Sequence, residues 1–130
     1  MIISNIDETL NNVVQDKNVG VKLARLTGDE DMSVFAIELK RDQFIPAHYH
    51  KTGIETYFIL FGEGIVSIGK INGERIVWED SKKVVSGDAF TIYPNEVHKF
   101  ENVSKETLKI IATTPLSHSK EDRFFIYEKE

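Results

Sequence analysis

With 130 residues, no cysteine and a formal net charge of −5, the chain has room for one domain with a sizeable core and needs no disulfides to hold it. Hydrophobic residues make up 41% and charged residues 28%, the balance of an ordinary soluble globule, and no apolar run approaches the ~20 residues that cross a bilayer. Basic residues are scattered, with Lys82-Lys83 the densest pair, so the footprint of a phosphate-backbone binder is missing and nucleic acid is not an expected partner.

The start, Met1-Ile2-Ile3-Ser4-Asn5-Ile6, carries neither a basic leader nor a long apolar stretch, so the cytoplasm is the expected compartment. Ile6, Leu10, Val13 and Val14 fall at i, i+4, i+7 and i+8, and Asn5 with Glu8 forms a capping box; a helix is predicted over residues 5 to 16, ended by Asn18 and Gly20. Its expected place is across the edge of a β structure. From Val19 onward the pattern is β: Val19, Val21 and Leu23 alternate with Gly20, Lys22 and Ala24, and Phe35, Ile37 and Leu39 with Ala36, Glu38 and Lys40. The acidic stretch Thr27-Gly28-Asp29-Glu30-Asp31 between them lacks the ligand spacing of a calcium loop and is expected to be a solvated turn.

Asn72-Gly73 separates Ile65 to Ile68 from Ile76 to Trp78 and predicts a hairpin. Val84-Val85, Phe90 to Ile92, His98 to Val103, Leu108 to Ala112 and Phe124 to Tyr127 supply further short strands. Many short strands with almost no helix predict an all-β sandwich or barrel. Its parts are a helix and edge strand over about 5–27, a barrel over about 32–115 and a C-terminal strand over about 120–130. Thr56 to Phe61 is apolar at nearly every position, which predicts burial on both faces. The outer face needs a cover, and a homodimer with Phe58 or Leu60 in its interface is expected.

The chemistry is concentrated between Ile45 and Gly64. His48 and His50, one residue apart on a β segment, point to one side because strand side chains alternate with a period of two. The link Lys51-Thr52-Gly53-Ile54 can turn, and Glu55 then heads the next strand facing the two imidazoles. His98 supplies a third imidazole from a separate strand. Three neutral nitrogens and one carboxylate form a ligand set for a divalent transition metal, such as Fe, Mn, Ni, Zn or Cu. With no cysteine, thiolate ligands are excluded.

These residues resemble the two motifs of the cupin superfamily. His48-Tyr49-His50, four intervening residues, Glu55, six more and Gly62 match the first motif. Gly87 to His98, with Asn102 four residues later, is similar to the second. Three positions depart: Asp42 stands where a glycine usually precedes the first His, the proline comes one position late as Pro94, and Asn95 replaces the second glycine. Asn tolerates the left-handed backbone of a turn glycine, so that change is mild. The resemblance implies a double-stranded β-helix (a cupin jelly-roll barrel) with a short N-terminal helix, and a small single-domain, metal-binding protein. It further implies either an enzyme of oxidative or isomerising chemistry on a small oxygenated organic molecule, or a non-catalytic module that holds a metal or small ligand.

Alternation from the ligands proposes pocket walls: Phe44 and Pro46 with His48, Tyr57 and Ile59 with Glu55, and Phe100 with His98. Glu96, Lys51 and Tyr57 are the nearest titratable candidates for acid–base work. Asn102 is expected to serve a turn or to support a ligand. His118, in the polar stretch Pro115 to Ser119 outside both motifs, is expected on the surface.

Overall fold

The computed structural model describes residues 1–16 and 21–127. Two five-stranded antiparallel sheets face each other. The first has the order β1 (Lys22–Gly28), β2 (Ser33–Leu39), β9 (Leu108–Thr114), β4 (Glu55–Phe61) and β7 (Ala89–Ile92). The second runs β10 (Phe124–Phe125), β3 (Phe44–Tyr49), β8 (Val97–Glu101), β5 (Glu63–Asn72) and β6 (Arg75–Val85). Apart from the β1–β2 and β5–β6 pairs, consecutive strands alternate between the sheets, as in the jelly roll that the motif resemblance implies.

The inner faces supply the core. Leu39, Ile59, Phe100, Leu108 and Ile110 are wholly buried between the sheets, each burial stabilising the fold by about 1.5–3 kcal/mol. Alternation is cleanest on β9, where every second residue is buried. On β4 it is also present: Glu55, Tyr57 and Ile59 point inward, while Phe58 (43% exposed) and Leu60 (38%) point out. The prediction of burial on both faces therefore does not hold within one chain. No described strand covers the outer side of β4.

Helix α1 (Ile6–Asn12) begins where the capping signal places it, with the Asn5 side chain accepting from the Glu8 N–H at 3.1 Å. Leu10 is buried against Ala24 and Ala36, whose small side chains let the helix lie close on the first sheet. The helix is shorter than predicted. Val13 is already extended (φ −88°, ψ 145°), so Val14 swings out to 84% exposure, and Gln15 pairs with Lys22 instead. The predicted stop residues Asn18 and Gly20, and Val19, lie outside the described residues, as does the end of the predicted C-terminal strand beyond Tyr127.

Turn chemistry explains the motif departures. Among the described residues, Asp42 (φ 64°) and Asn95 (φ 66°) are the non-glycine ones with positive φ, and both stand at positions where the related motifs carry glycine. Asp and Asn are the side chains that best tolerate that conformation. The Asn72-Gly73 hairpin forms as predicted: Asn72 pairs with Arg75 around a two-residue loop with Gly73 at φ 65°. Asn102 is a turn residue. Its amide donates to the Leu39 and Glu106 carbonyls (2.9 and 2.7 Å) and its oxygen accepts from the Ser104 N–H (3.0 Å).

One irregularity bears on the site. Between β3 and β8, Ile45 pairs with Phe100 and His48 with His98. Three steps on β3 match two on β8, which is a β-bulge. Ile45 therefore shares the inner side with His48, and the alternation predicted for Phe44 and Pro46 is shifted by one.

Candidate metal centre

His48 comes from β3, His50 from the residue just after it, Glu55 opens β4 and His98 lies on β8. All four are buried, and their ligand atoms lie within 4.8 Å of one another. The strands bring together what the sequence spacing predicted. Glu55 Oε2 is 3.3 Å from His50 Nε2, and Glu55 Oε1 is 3.3 Å from His98 Nε2. Donor atoms bound at about 2.1 Å to one ion stand about 3.0–3.4 Å apart along the edges of an octahedron or tetrahedron. The spacing thus suits a shared cation.

The backbone fixes which nitrogen faces inward. His48 Nδ1 meets the Pro46 carbonyl at 2.8 Å, His98 Nδ1 the Glu96 carbonyl at 3.1 Å, and His50 Nδ1 the Asp122 carbonyl at 2.5 Å. A carbonyl only accepts, so each Nδ1 carries the proton and each Nε2 presents a lone pair to the centre. His50 Nε2, His98 Nε2 and Glu55 Oε1 are buried with no hydrogen-bond partner. Buried polar atoms are ordinarily satisfied, and three converging acceptors without a donor are costly unless a cation sits among them. The donor set fits a divalent transition metal.

Protonation agrees. Burial, reinforced by the neighbouring His98 and His50 rings, holds His48 well below the usual imidazole range. Burial also lowers His50, to about 4, against the opposing pull of Glu55. Burial alone would raise Glu55, but its contacts with His118 and His98 outweigh that and keep the carboxyl well below its ordinary range. Near neutral pH, His48 and His50 are therefore neutral and Glu55 is ionised, the states that ligation requires.

The C-terminal segment closes around this cluster, and here the sequence expectation is corrected. His118 is buried, on a 3-10 turn (Leu116–Ser119) after β9. Its Nδ1 lies 3.3 Å from Glu55 Oε2 and 2.5 Å from Thr114 Oγ1, its Nε2 donates to the Thr52 carbonyl, and its ring stacks on His50 at 4.0 Å. Burial works against its charge, but the hydrogen bonds to Glu55 and Thr52 prevail and raise its pKa. Nothing local in Pro115 to Ser119 marks this. Asp122 adds a second grip, accepting from the Lys51 and Thr52 N–H groups at 2.7 and 3.0 Å.

A family model described as the cupin domain matches residues 35–114. The chain belongs to the cupin family. A curated relative, an uncharacterized protein of Methanocaldococcus jannaschii, is 33% identical over 75 residues, 58% of this chain and 53% of that one. This cupin thus matches about half the length of that relative. Among solved structures, a conserved protein with a double-stranded β-helix domain from Klebsiella pneumoniae superposes with a TM-score of 0.69 at 20% identity, over 97% of each chain. A predicted oxalate decarboxylase from Thermotoga maritima gives 0.70 at 19% identity, over 96% of this chain and all (100%) of that one. The Drosophila melanogaster CENP-C cupin domain gives 0.63 at 17%, over 78% and 74%. At such identities these establish the shared fold.

Beside the four residues the cupin has a cavity with about 50 Å³ of space, lined by Ile45, Phe35, Ile37, Tyr57, His118 and Arg123 among others. Of the predicted walls, Tyr57 is there. Phe44 is 53% exposed and Pro46 lies off the cavity, because of the β3 bulge; Ile59 and Phe100 are sealed into the core between the sheets. Two of the acid–base candidates are also displaced. Lys51 and Glu96 line an outer depression with Tyr49 and Tyr93, where Lys51 Nζ sits 4.5 Å above the Phe124 ring and Glu96 accepts from the Tyr93 N–H at 3.3 Å. Tyr57 alone of the three faces the cavity.

Proposed function

We propose that this cupin binds a divalent transition metal through His48, His50, Glu55 and His98, and uses it to act on a small oxygenated organic molecule. The observation that carries the reading is the trio of unsatisfied buried acceptors, His50 Nε2, His98 Nε2 and Glu55 Oε1. Four protein ligands leave one or two positions of a five- or six-coordinate ion open, and an open position lets a metal polarise a substrate oxygen. The chain's own part is to fix the imidazole tautomers, keep the carboxylate ionised and exclude bulk water from a largely apolar cavity.

A non-catalytic reading has its own support: of the proposed acids and bases, only Tyr57 lines the cavity. The fold also serves binding, since a Drosophila melanogaster CENP-C structure of this architecture is bound to CAL1. Metal analysis of purified protein comes first. Close to one ion per chain is expected, lost in His50→Ala and Glu55→Ala while the far-UV spectrum stays β, because the core stands without the ion. Collapse of that spectrum would make the metal structural. Oxygen uptake or proton exchange with a panel of diketones, hydroxyacids and oxo acids then separates an enzyme from a binder.

We further propose a homodimer through the outer face of β4. Phe58, Leu60 and Phe61 leave an apolar patch in water, and such patches mark association sites. Light scattering is expected to show twice the chain mass, falling to monomer in Phe58→Asp; a monomer at micromolar concentration would refute it.

A further inference from the structure

We propose that the cavity beside the metal centre receives a small carboxylate anion, of the 2-oxo acid class, with Arg123 as the cationic group that holds its carboxylate. This rests on the metal reading above and extends it to the ligand.

Most of the cavity wall is hydrocarbon: Val21, Leu23, Phe35, Ile37 and Ile45. Beyond the metal-binding cluster its polar groups are few, and most are already engaged. Thr114 Oγ1 is held by His118 at 2.5 Å, and Ser119 Oγ donates to the Leu116 carbonyl at 3.0 Å. Of the remaining lining residues, Tyr57 and Arg123 carry polar groups, and Arg123 is the cationic one.

Arg123 is placed by the same strand that grips the site. Phe125 pairs with His48 in the β10–β3 ladder, and their rings are 5.7 Å apart. Two residues earlier, Arg123 falls on the same side by the period of two. Its guanidinium carbon lies 5.2 Å from the Phe125 ring centre. The side chain is only 9% exposed, and one nitrogen, Nη1, contacts Asp16 Oδ2 at 3.2 Å. A guanidinium carries five N–H donors and stays charged at any physiological pH. One contact to Asp16 leaves donors over, in a setting screened from water, where a bidentate carboxylate is the best-matched partner.

Size narrows the class. Fifty cubic ångströms of space for water centres, at ~10–15 Å³ per water, holds a handful of heavy atoms. A short 2-oxo acid fits, with its anionic end toward Arg123, an oxygen toward the histidine cluster and an alkyl stub against the apolar wall.

The test uses an isosteric pair that differs in charge, pyruvate and pyruvamide, titrated calorimetrically into cobalt-loaded protein whose metal content is measured on each sample. Wild type is expected to bind pyruvate about 10- to 100-fold more tightly than pyruvamide. Asp16→Asn, which frees the guanidinium, should strengthen pyruvate binding. The double variant Asp16→Asn/Arg123→Gln, which removes both charges of the Arg123–Asp16 pair together, should lose the preference while keeping its metal. Equal binding of the two probes, binding of neither, or a preference that survives in the double variant overturns the assignment. If no sample takes up metal, the metal reading fails by itself. The Arg123 assignment is then decided on metal-free protein: a preference abolished in the double variant upholds it, and its absence overturns it.

Discussion

Two regions build the centre, and they are encoded differently. His48 and His98 face each other across the β3–β8 ladder, His50 follows β3, and Glu55 opens β4 in the opposite sheet, so strand register and the stacking of the two sheets bring the four within reach of one another. His118, Asp122 and Arg123 come from a stretch of one 3-10 turn and one two-residue strand, and reach the same place across more than 60 residues of sequence. Strand-borne side chains follow a period and can be read; the wrap that packs on them depends on where the chain happens to return. The ladder supplies the donors, and the wrap decides how they are held.

Acid should separate the two regions most sharply. His50 is depressed to about 4 and His48 is lowered as well. An imidazole with a depressed folded-state pKa stabilises the fold above its unfolded value of about 6.5, and that contribution is lost as pH falls towards the folded value. For His50 the loss amounts to about 3 kcal/mol between pH 6.5 and about 4. His118, raised by its hydrogen bond to Glu55 and its neighbours, acts in the opposite sense: its contribution is complete below 6.5 and declines as pH rises through its folded pKa. Denaturant midpoints of metal-free protein should therefore fall on acidification through that window. A flat profile would mean the strand-borne histidines are not desolvated as described.

Removing the wrap's contact with Glu55 comes next in size. His118→Leu strips the partner from Glu55 Oε2, and metal affinity is expected to fall about 10- to 100-fold, as for outer partners of metal ligands. His118→Gln, which can still donate, should recover part of it. Competition with a chromophoric chelator measures both, and equal affinities would leave His118 a packing residue only. Asp122→Ala, which uncaps the Lys51 and Thr52 N–H groups, should cost about 1–3 kcal/mol of stability. Its effect on affinity should be smaller, because the carbonyl that holds His50 remains. A larger affinity loss than in His118→Leu would reverse the order of importance within the wrap.

The same division explains what could be read in advance. The strands, the Asn72-Gly73 hairpin and the helix start at Asn5 follow from local pattern, and the four converging side chains from the spacing of two motifs set far apart in the chain. The pocket walls did not follow. One extra residue between Ile45 and His48 shifts β3 by a step; Pro46, a residue that strands admit at edges and bulges, hints at it, whereas plain alternation from His48 puts Phe44 where Ile45 stands. Sequence alone puts His118 on the surface, because a polar loop outside both motifs has no face of its own. Its burial is conferred by Thr52, Glu55 and Thr114.

The two-residue strand β10 has a kinetic consequence. Short elements with few backbone bonds open at low free-energy cost, long before the body of a protein unfolds. Phe124 and Phe125 peeling from β3 would take Asp122 and Arg123 with them, freeing the His50 ring and uncovering the cavity while both sheets stay closed. Access to the cavity would then be governed by this short C-terminal latch, whose bonds from Asp122 to Lys51 and Thr52 would have to break as it lifts.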